Sequence, residues 1–163
     1  MKQKDTEAVK VFEEIASRYC KAIDSVESIS RKELIGKMGA ILPELYTAGW
    51  NLPTKIAFDK LPPSYNNADE WTNLFHALQR KLGSWDVYWY VFDPISEKEA
   101  ITQCLADDLA DIYYELHDYL RSVANGVPVE DVVFEVRVGF QSHWGHHLTS
   151  ALRVVHELRF RDE

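Results

Sequence analysis

The chain has 163 residues, 46% hydrophobic and 27% charged, with Lys+Arg 18 against Asp+Glu 26 and a formal net charge of -8. That length and mix suit one globular domain, able to take about two-thirds of its unfolded surface out of water, and exclude a disordered, collagenous or rod-like chain. The acidic excess, with no basic run longer than two residues, argues against general nucleic-acid binding, because such a surface repels phosphate.

The elements predicted along the chain are helical. The charged start MKQKDTEAVKVFEE has no apolar core of signal-peptide length, and the first helix spans about Thr6 to Val26, with Val9, Phe12, Ile15, Ala16, Tyr19, Cys20 and Ile23 on one stripe. Ser30 and Glu33 make a capping box for a second helix that turns Leu34, Met38, Ile41, Leu42, Leu45 and Tyr46 inward, kinks or breaks at Pro43 and ends at Gly49. The proline-bearing stretch Asn51 to Asn67 predicts a long connection with one helical turn around Ile56 to Lys60. A third helix runs from about Asp69 to Leu82, with Trp71, Leu74, Phe75 and Leu78 inward and Gly83 as its stop.

Trp85 to Pro94 has strand propensity but no evident pairing partner, so it is expected as an aromatic loop laid across the bundle. Ser96 and Glu99 form a second capping box, opening a long helix from about Glu97 to Asn125 that Gly126 closes. Pro128 suits the start of a last helix, from about Val129 to Phe160. The expectation is a single all-α domain over residues 1–163, an up-and-down bundle of four or five helices. Cys20 and Cys104, far apart and without a disulfide framework, predict free thiols in a reduced, cytoplasmic protein. No apolar run approaches the roughly 20 residues of a membrane span.

Two strings carry chemistry. In Asp107-Asp108-Leu109-Ala110-Asp111-Ile112-Tyr113-Tyr114-Glu115, helical spacing buries Leu105, Leu109, Ile112 and Leu116 and sets Asp108, Asp111 and Glu115 together on the flank of that stripe, with Asp107 and Asp118 nearer solvent. In His143-Trp144-Gly145-His146-His147, His143 and His147 stand one turn apart on the apolar face and His146 at its margin, a spacing that suits two ligands of one metal ion. Counting outward from the turn at Gly126 and Val127 sets Asp108 opposite Gly145 and Asp111 opposite Ser142, so carboxylates and imidazoles should meet.

Such a meeting has two readings. Asp108, Asp111, Glu115, His143 and His147 could ligate a divalent metal ion, whose bound water would then serve hydrolysis. Alternatively, the carboxylates accept hydrogen bonds from the imidazoles and brace two buried helices. The five tryptophans, Trp50, Trp71, Trp85, Trp89 and Trp144, are expected in the core or as cleft walls. Cys104 is expected as a buried thiol.

Tyr88 to Asp93 with Pro94, the run Ala106 to Tyr113, and HWGHH followed by Ala151, Leu152 and His156 together resemble a bacterial family, domain of unknown function number 5063, clearly over the last 80 or so residues. That resemblance implies a helical fold and no particular reaction. A weaker similarity, carried by Asp108 to Ile112, is to the MazG-like all-alpha nucleotide pyrophosphatases. It implies Mg²⁺-dependent nucleotide hydrolysis, but the upstream Glu-x-x-Glu helix of those enzymes is missing and they lack the histidines. The expected function is a small module that binds a protein or small-molecule partner around a buried Asp/His brace; the alternative is a metal-dependent hydrolase using the same cluster.

Overall fold

The computed structural model describes residues 3–54, 60–91, 93 and 95–161. Among them lie six helices, α1 (Gln3–Asp24), α2 (Arg31–Trp50), α3 (Ala68–Leu82), α4 (Leu105–Ala124), α5 (Val129–Ser142) and α6 (Trp144–Phe160), and two strands, β1 (Val87–Tyr90) and β2 (Ile101–Cys104). The helical turn expected at Ile56 to Lys60 falls on residues 55–59, outside the described residues. No described helix is long and apolar enough to cross a membrane.

The first three helices follow the apolar periodicity. The α1 stripe buries Phe12, Ala16, Tyr19 and Ile23 completely. Helix α2 begins with the expected capping box: Glu33 N–H donates to Ser30 Oγ, and Ser30 N–H donates to the Glu33 carboxylate at 2.8 Å. Pro43 does not end α2, which continues to Trp50. Gly49 lies inside the helix rather than beyond it. A Cβ there would come within 2.9 Å of the Phe140 and Trp144 rings, so the glycine lets α2 pack closely on those two rings. Asn51 caps α2 instead, its Nδ2 donating to Thr47 O at 2.9 Å. Gly83 ends α3 with φ +56, a conformation that favours glycine.

The middle of the chain departs from the expectation. Val87 to Tyr90 is a strand, not a loop, and its partner lies inside the segment expected to be helical: Val87 pairs with Cys104 and Tyr90 with Ile101, antiparallel. The connecting residues include Phe92 and Pro94, which are outside the described set. The Ser96 box does not form. Its hydroxyl donates to Asp93, whose carboxylate also accepts the Ile95 N–H at 2.9 Å, so the capping signal serves a turn. Helix α4 therefore starts at Leu105. Its start is tied to the hairpin by Asp86, a 2%-exposed carboxylate that accepts from Ala106 N–H, while Leu105 N–H donates to Asp86 O. Cys104 is the strand residue before α4, half-buried rather than buried, and both thiols are free.

The last helix is also broken. Helix α5 ends where His143 N–H donates to Gly139 O at 2.8 Å, and α6 begins where His146 N–H donates to His143 O at 2.9 Å. Gly145 permits the break, because a Cβ there would lie 2.1 Å from the Phe140 carbonyl oxygen. Trp144, fully buried, pins it: Nε1 donates to Val136 O at 2.9 Å and the ring packs on Phe140 and Phe12. Helix α4 is central, packed against α1, α3, α5 and α6, while α2 packs on α1 and α6. The shared core runs through Phe12, Leu42, Leu45, Leu109, Ile112, Leu116, Trp144 and Leu148. The architecture is a mostly helical bundle carrying a two-stranded hairpin, rather than a purely α bundle of four or five helices.

Candidate metal centre

Helix α4 supplies Asp108, Asp111 and Glu115 at i, i+3 and i+7, which a helical repeat stacks along one face. The junction of α5 and α6 supplies His143, as the residue between the helices, and His147, in the first turn of α6. Helices α4 and α6 run antiparallel, so Asp108 faces His147 and Glu115 faces His143. All five residues meet.

The contacts have a definite order. His147 Nδ1 lies 2.9 Å from Asp108 Oδ1, and His143 Nδ1 lies 3.0 Å from Glu115 Oε1. An ionised carboxylate only accepts, so these contacts place the proton on Nδ1 of each ring. Both Nε2 atoms then turn to one oxygen, Asp111 Oδ2, at 3.2 Å from His147 and 3.7 Å from His143. The rings stand edge to face with centroids 5.0 Å apart. Ligand atoms of Asp111, His143 and His147 lie within 4.8 Å of one another.

Two aromatic side chains complete the carboxylates. Tyr88 of β1 donates its hydroxyl to Asp108 Oδ2 at 2.6 Å, and Trp71 of α3 donates Nε1 to Asp111 Oδ1 at 2.7 Å. Each of these aspartates thus has one oxygen fixed by an aromatic donor and the other aimed at an imidazole. Sequence reasoning missed both donors. Tyr88 lay in the segment expected as a loop, and Trp71 was expected only to pack. No local signal distinguishes an indole that donates from one that merely fills space.

The cluster grades from buried to open: Asp108 is 1% exposed at its side chain and His147 18%, whereas His143 is 46% exposed. His143 therefore sits at the mouth of the cluster, not within the apolar stripe expected from an unbroken helix. Burial holds the Asp108 carboxyl above the usual carboxylate range, against the pull of its His147 and Tyr88 hydrogen bonds. Burial likewise raises Glu115, with His143 opposing it. Burial would depress His147, but the hydrogen bond and charge of Asp108, with Asp111 and Asp107 behind them, outweigh it and raise its pKa. Asp107 and Asp118 are half-buried rather than solvated; Gln103 Nε2 donates to Asp107 at 3.2 Å and Tyr65 N–H to Asp118 at 2.5 Å. Of the tryptophans, Trp144 alone is fully buried, while Trp50 and Trp89 are 67% and 69% exposed.

A set of two imidazole nitrogens and one carboxylate oxygen suits Zn²⁺, Mn²⁺ or Fe²⁺. Asp111 Oδ2 lies near enough to each Nε2, at 3.2 and 3.7 Å, for the carboxylate and either imidazole to hold one ion together. Asp108 and Glu115 then occupy the outer positions that hold metal-bound histidines in their tautomer.

The fold and cluster can be set beside known proteins. The crystal structure of protein BF1032 from Bacteroides fragilis is similar over 94% of this chain and 92% of its own, with TM-score 0.81 and 24% identity, a likeness of fold. No curated protein matches the chain. The family model described as domain of unknown function (DUF5063) matches residues 3–161, nearly the whole chain rather than the C-terminal half alone, and the weaker similarity to MazG-like pyrophosphatases finds no support in these matches. By that match, the chain belongs to the DUF5063 family.

Proposed function

We propose that this domain binds one divalent cation through Asp111, His143 and His147, with Asp108 and Glu115 orienting the two imidazoles. The observation that carries the proposal is the shared target of the two Nε2 atoms. With each Nδ1–H donating its hydrogen bond to a carboxylate, a neutral imidazole presents a lone pair at Nε2, and two such lone pairs face the same anionic oxygen at 3.2 and 3.7 Å. Lone pairs do not attract one another; a cation between them does. Asp108, Asp111 and Glu115 together carry a formal charge of about -3, which one divalent ion lowers to about -1.

Two additional protons, one on each Nε2, would leave the same net charge. That is the brace reading, and the upward shift of His147 favours it at low pH. The two states are exclusive, so they compete: an ion enters as protons leave. An ion held by three protein ligands would have coordination positions left for water or a small ligand, and His143 is the most exposed of the three. Metal-assisted hydrolysis is the reaction class such positions allow.

The test uses protein purified without a polyhistidine tag. Elemental analysis after incubation with Zn²⁺ or Mn²⁺ and desalting should give one ion per chain. Chelator should lower the melting temperature of that protein and leave the His143→Ala/His147→Ala variant unaffected. A wild-type protein that never retains metal, yet loses stability in the double variant, supports the brace and refutes the metal centre.

A further inference from the structure

A second concavity lies on another face of the α5–α6 junction. It is a hollow of about 540 Å³ between α2, α5 and α6, inside the range of roughly 300–1,000 Å³ usual for small-molecule sites. None of its lining residues belongs to the carboxylate–imidazole cluster. The helix break shapes it, because Gly145 and His146 line it beside Phe140 and Gln141.

One wall is aromatic. Tyr46 and Trp50 stack with centroids 6.1 Å apart and planes 28° apart, and Phe140 lies 5.6 Å from Tyr46. Trp50 is 67% exposed, a large indole face turned to solvent at the rim. The lining also carries Arg137. Its Nε donates to Leu52 O at 3.1 Å, which fixes the guanidinium while leaving both terminal nitrogens without a protein partner among the described residues. Arg18, Arg80 and Arg121 each meet a glutamate within 3.2 Å. Arg137 meets no carboxylate among the described residues, although it is half-buried in a chain of net charge -8. A guanidinium held through Nε, with no carboxylate partner among the described residues, lining the same hollow as three aromatic rings complements one kind of ligand. The ring stacks on the aromatic wall, and a planar or tetrahedral anion accepts two parallel N–H bonds.

We propose that this hollow binds a small aromatic anion, a planar ring bearing one carboxylate or one phosphate, with Tyr46, Trp50 and Phe140 holding the ring and Arg137 the charge. His146 and Gln141 stand at the rim as further polar contacts. The site shares no residue with the metal centre, and its test does not require metal.

Indole-3-acetate, AMP and neutral indole are titrated calorimetrically into chelator-treated protein, which separates a carboxylate from a phosphate ligand and both from ring stacking alone. At least one anion should bind saturably with Kd below about 1 mM, and indole about tenfold more weakly or worse. Arg137→Gln should weaken the anion about tenfold or more, Trp50→Ala should also weaken it, and His143→Ala/His147→Ala should not. If Arg137→Gln fails to fold, Arg137→Lys, which keeps the charge and loses the fork, should show the same direction. No binding of either anion at about 5 mM, equal binding of indole, or anion affinity unchanged in the folded Arg137 variant overturns the proposal.

Discussion

Replacing Gly145 with alanine sets two effects of opposite sign against each other. Helix propensity alone favours the change by about 1 kcal/mol, since Gly145 lies in the first turn of α6. Packing opposes it: the new Cβ would stand 2.1 Å from Phe140 O, and real Cβ contacts essentially never fall below 3.0 Å. Either α6 or the end of α5 must shift by about 1 Å, and both are fixed by fully buried Trp144, so the cost should follow that of an overpacked core, about 3 kcal/mol. Net of the propensity gain this leaves about 2 kcal/mol, which for a domain of this size is a fall in Tm of about 4–8 °C. Thermal denaturation followed by circular dichroism measures it, with Gly36→Ala as the control. Gly36 is exposed within α2 and has nothing within 4 Å of its added Cβ, so the control should gain about 0.5–1 kcal/mol. A Gly145→Ala protein as stable as its parent, beside a stabilised Gly36→Ala, would mean that α5 and α6 are not broken as described.

Three further outcomes are expected. Tyr88→Phe strips the hydroxyl donor from Asp108 Oδ2, a carboxylate 1% exposed, and should cost about 2 kcal/mol in urea denaturation; a change under about 0.5 kcal/mol would show that the hairpin is not docked through this bond. Burial pushes the Cys20 thiol up to about 12, so a native-state disulfide-exchange reagent at pH 8 should modify Cys104 well before Cys20; simultaneous labelling would contradict the packing of α1. Because the folded chain holds the Cys20 proton after an unfolded thiol has released its own, stability should fall between about pH 8.5 and 12 by up to about 1.4 kcal/mol per pH unit from this group. Cys20→Ala should flatten that slope, and an unchanged slope would count against a buried thiol.

The parts of this protein that were legible in the sequence are those where one helical repeat decides. Asp108, Asp111 and Glu115 share a face because of their spacing alone, and the short connection through Gly126 set their level against His143 and His147 to within about one turn. What escaped depends on contacts distant in sequence. Ile101 to Cys104 pairs with Val87 to Tyr90, but a Ser and a Glu three apart imitate a helix start, and only the turn at Asp93 shows that the serine is otherwise engaged. The break at His143 follows from the meeting of Gly145 with the Phe140 carbonyl; in the sequence it is a single glycine inside a helical pattern. Tyr88 and Trp71 reach the cluster from β1 and α3, so no motif within α4 or α6 announces them.

Whether Asp111, His143 and His147 hold one cation can be read from anomalous diffraction by crystals grown with Zn²⁺ or Mn²⁺ and measured at the metal's absorption edge. One strong peak per chain is expected, about 2.0–2.2 Å from Asp111 Oδ2 and from Nε2 of both histidines, with Asp108 and Glu115 remaining on the Nδ1 atoms. Empty density between these groups in crystals carrying metal on surface residues such as His156 would contradict it.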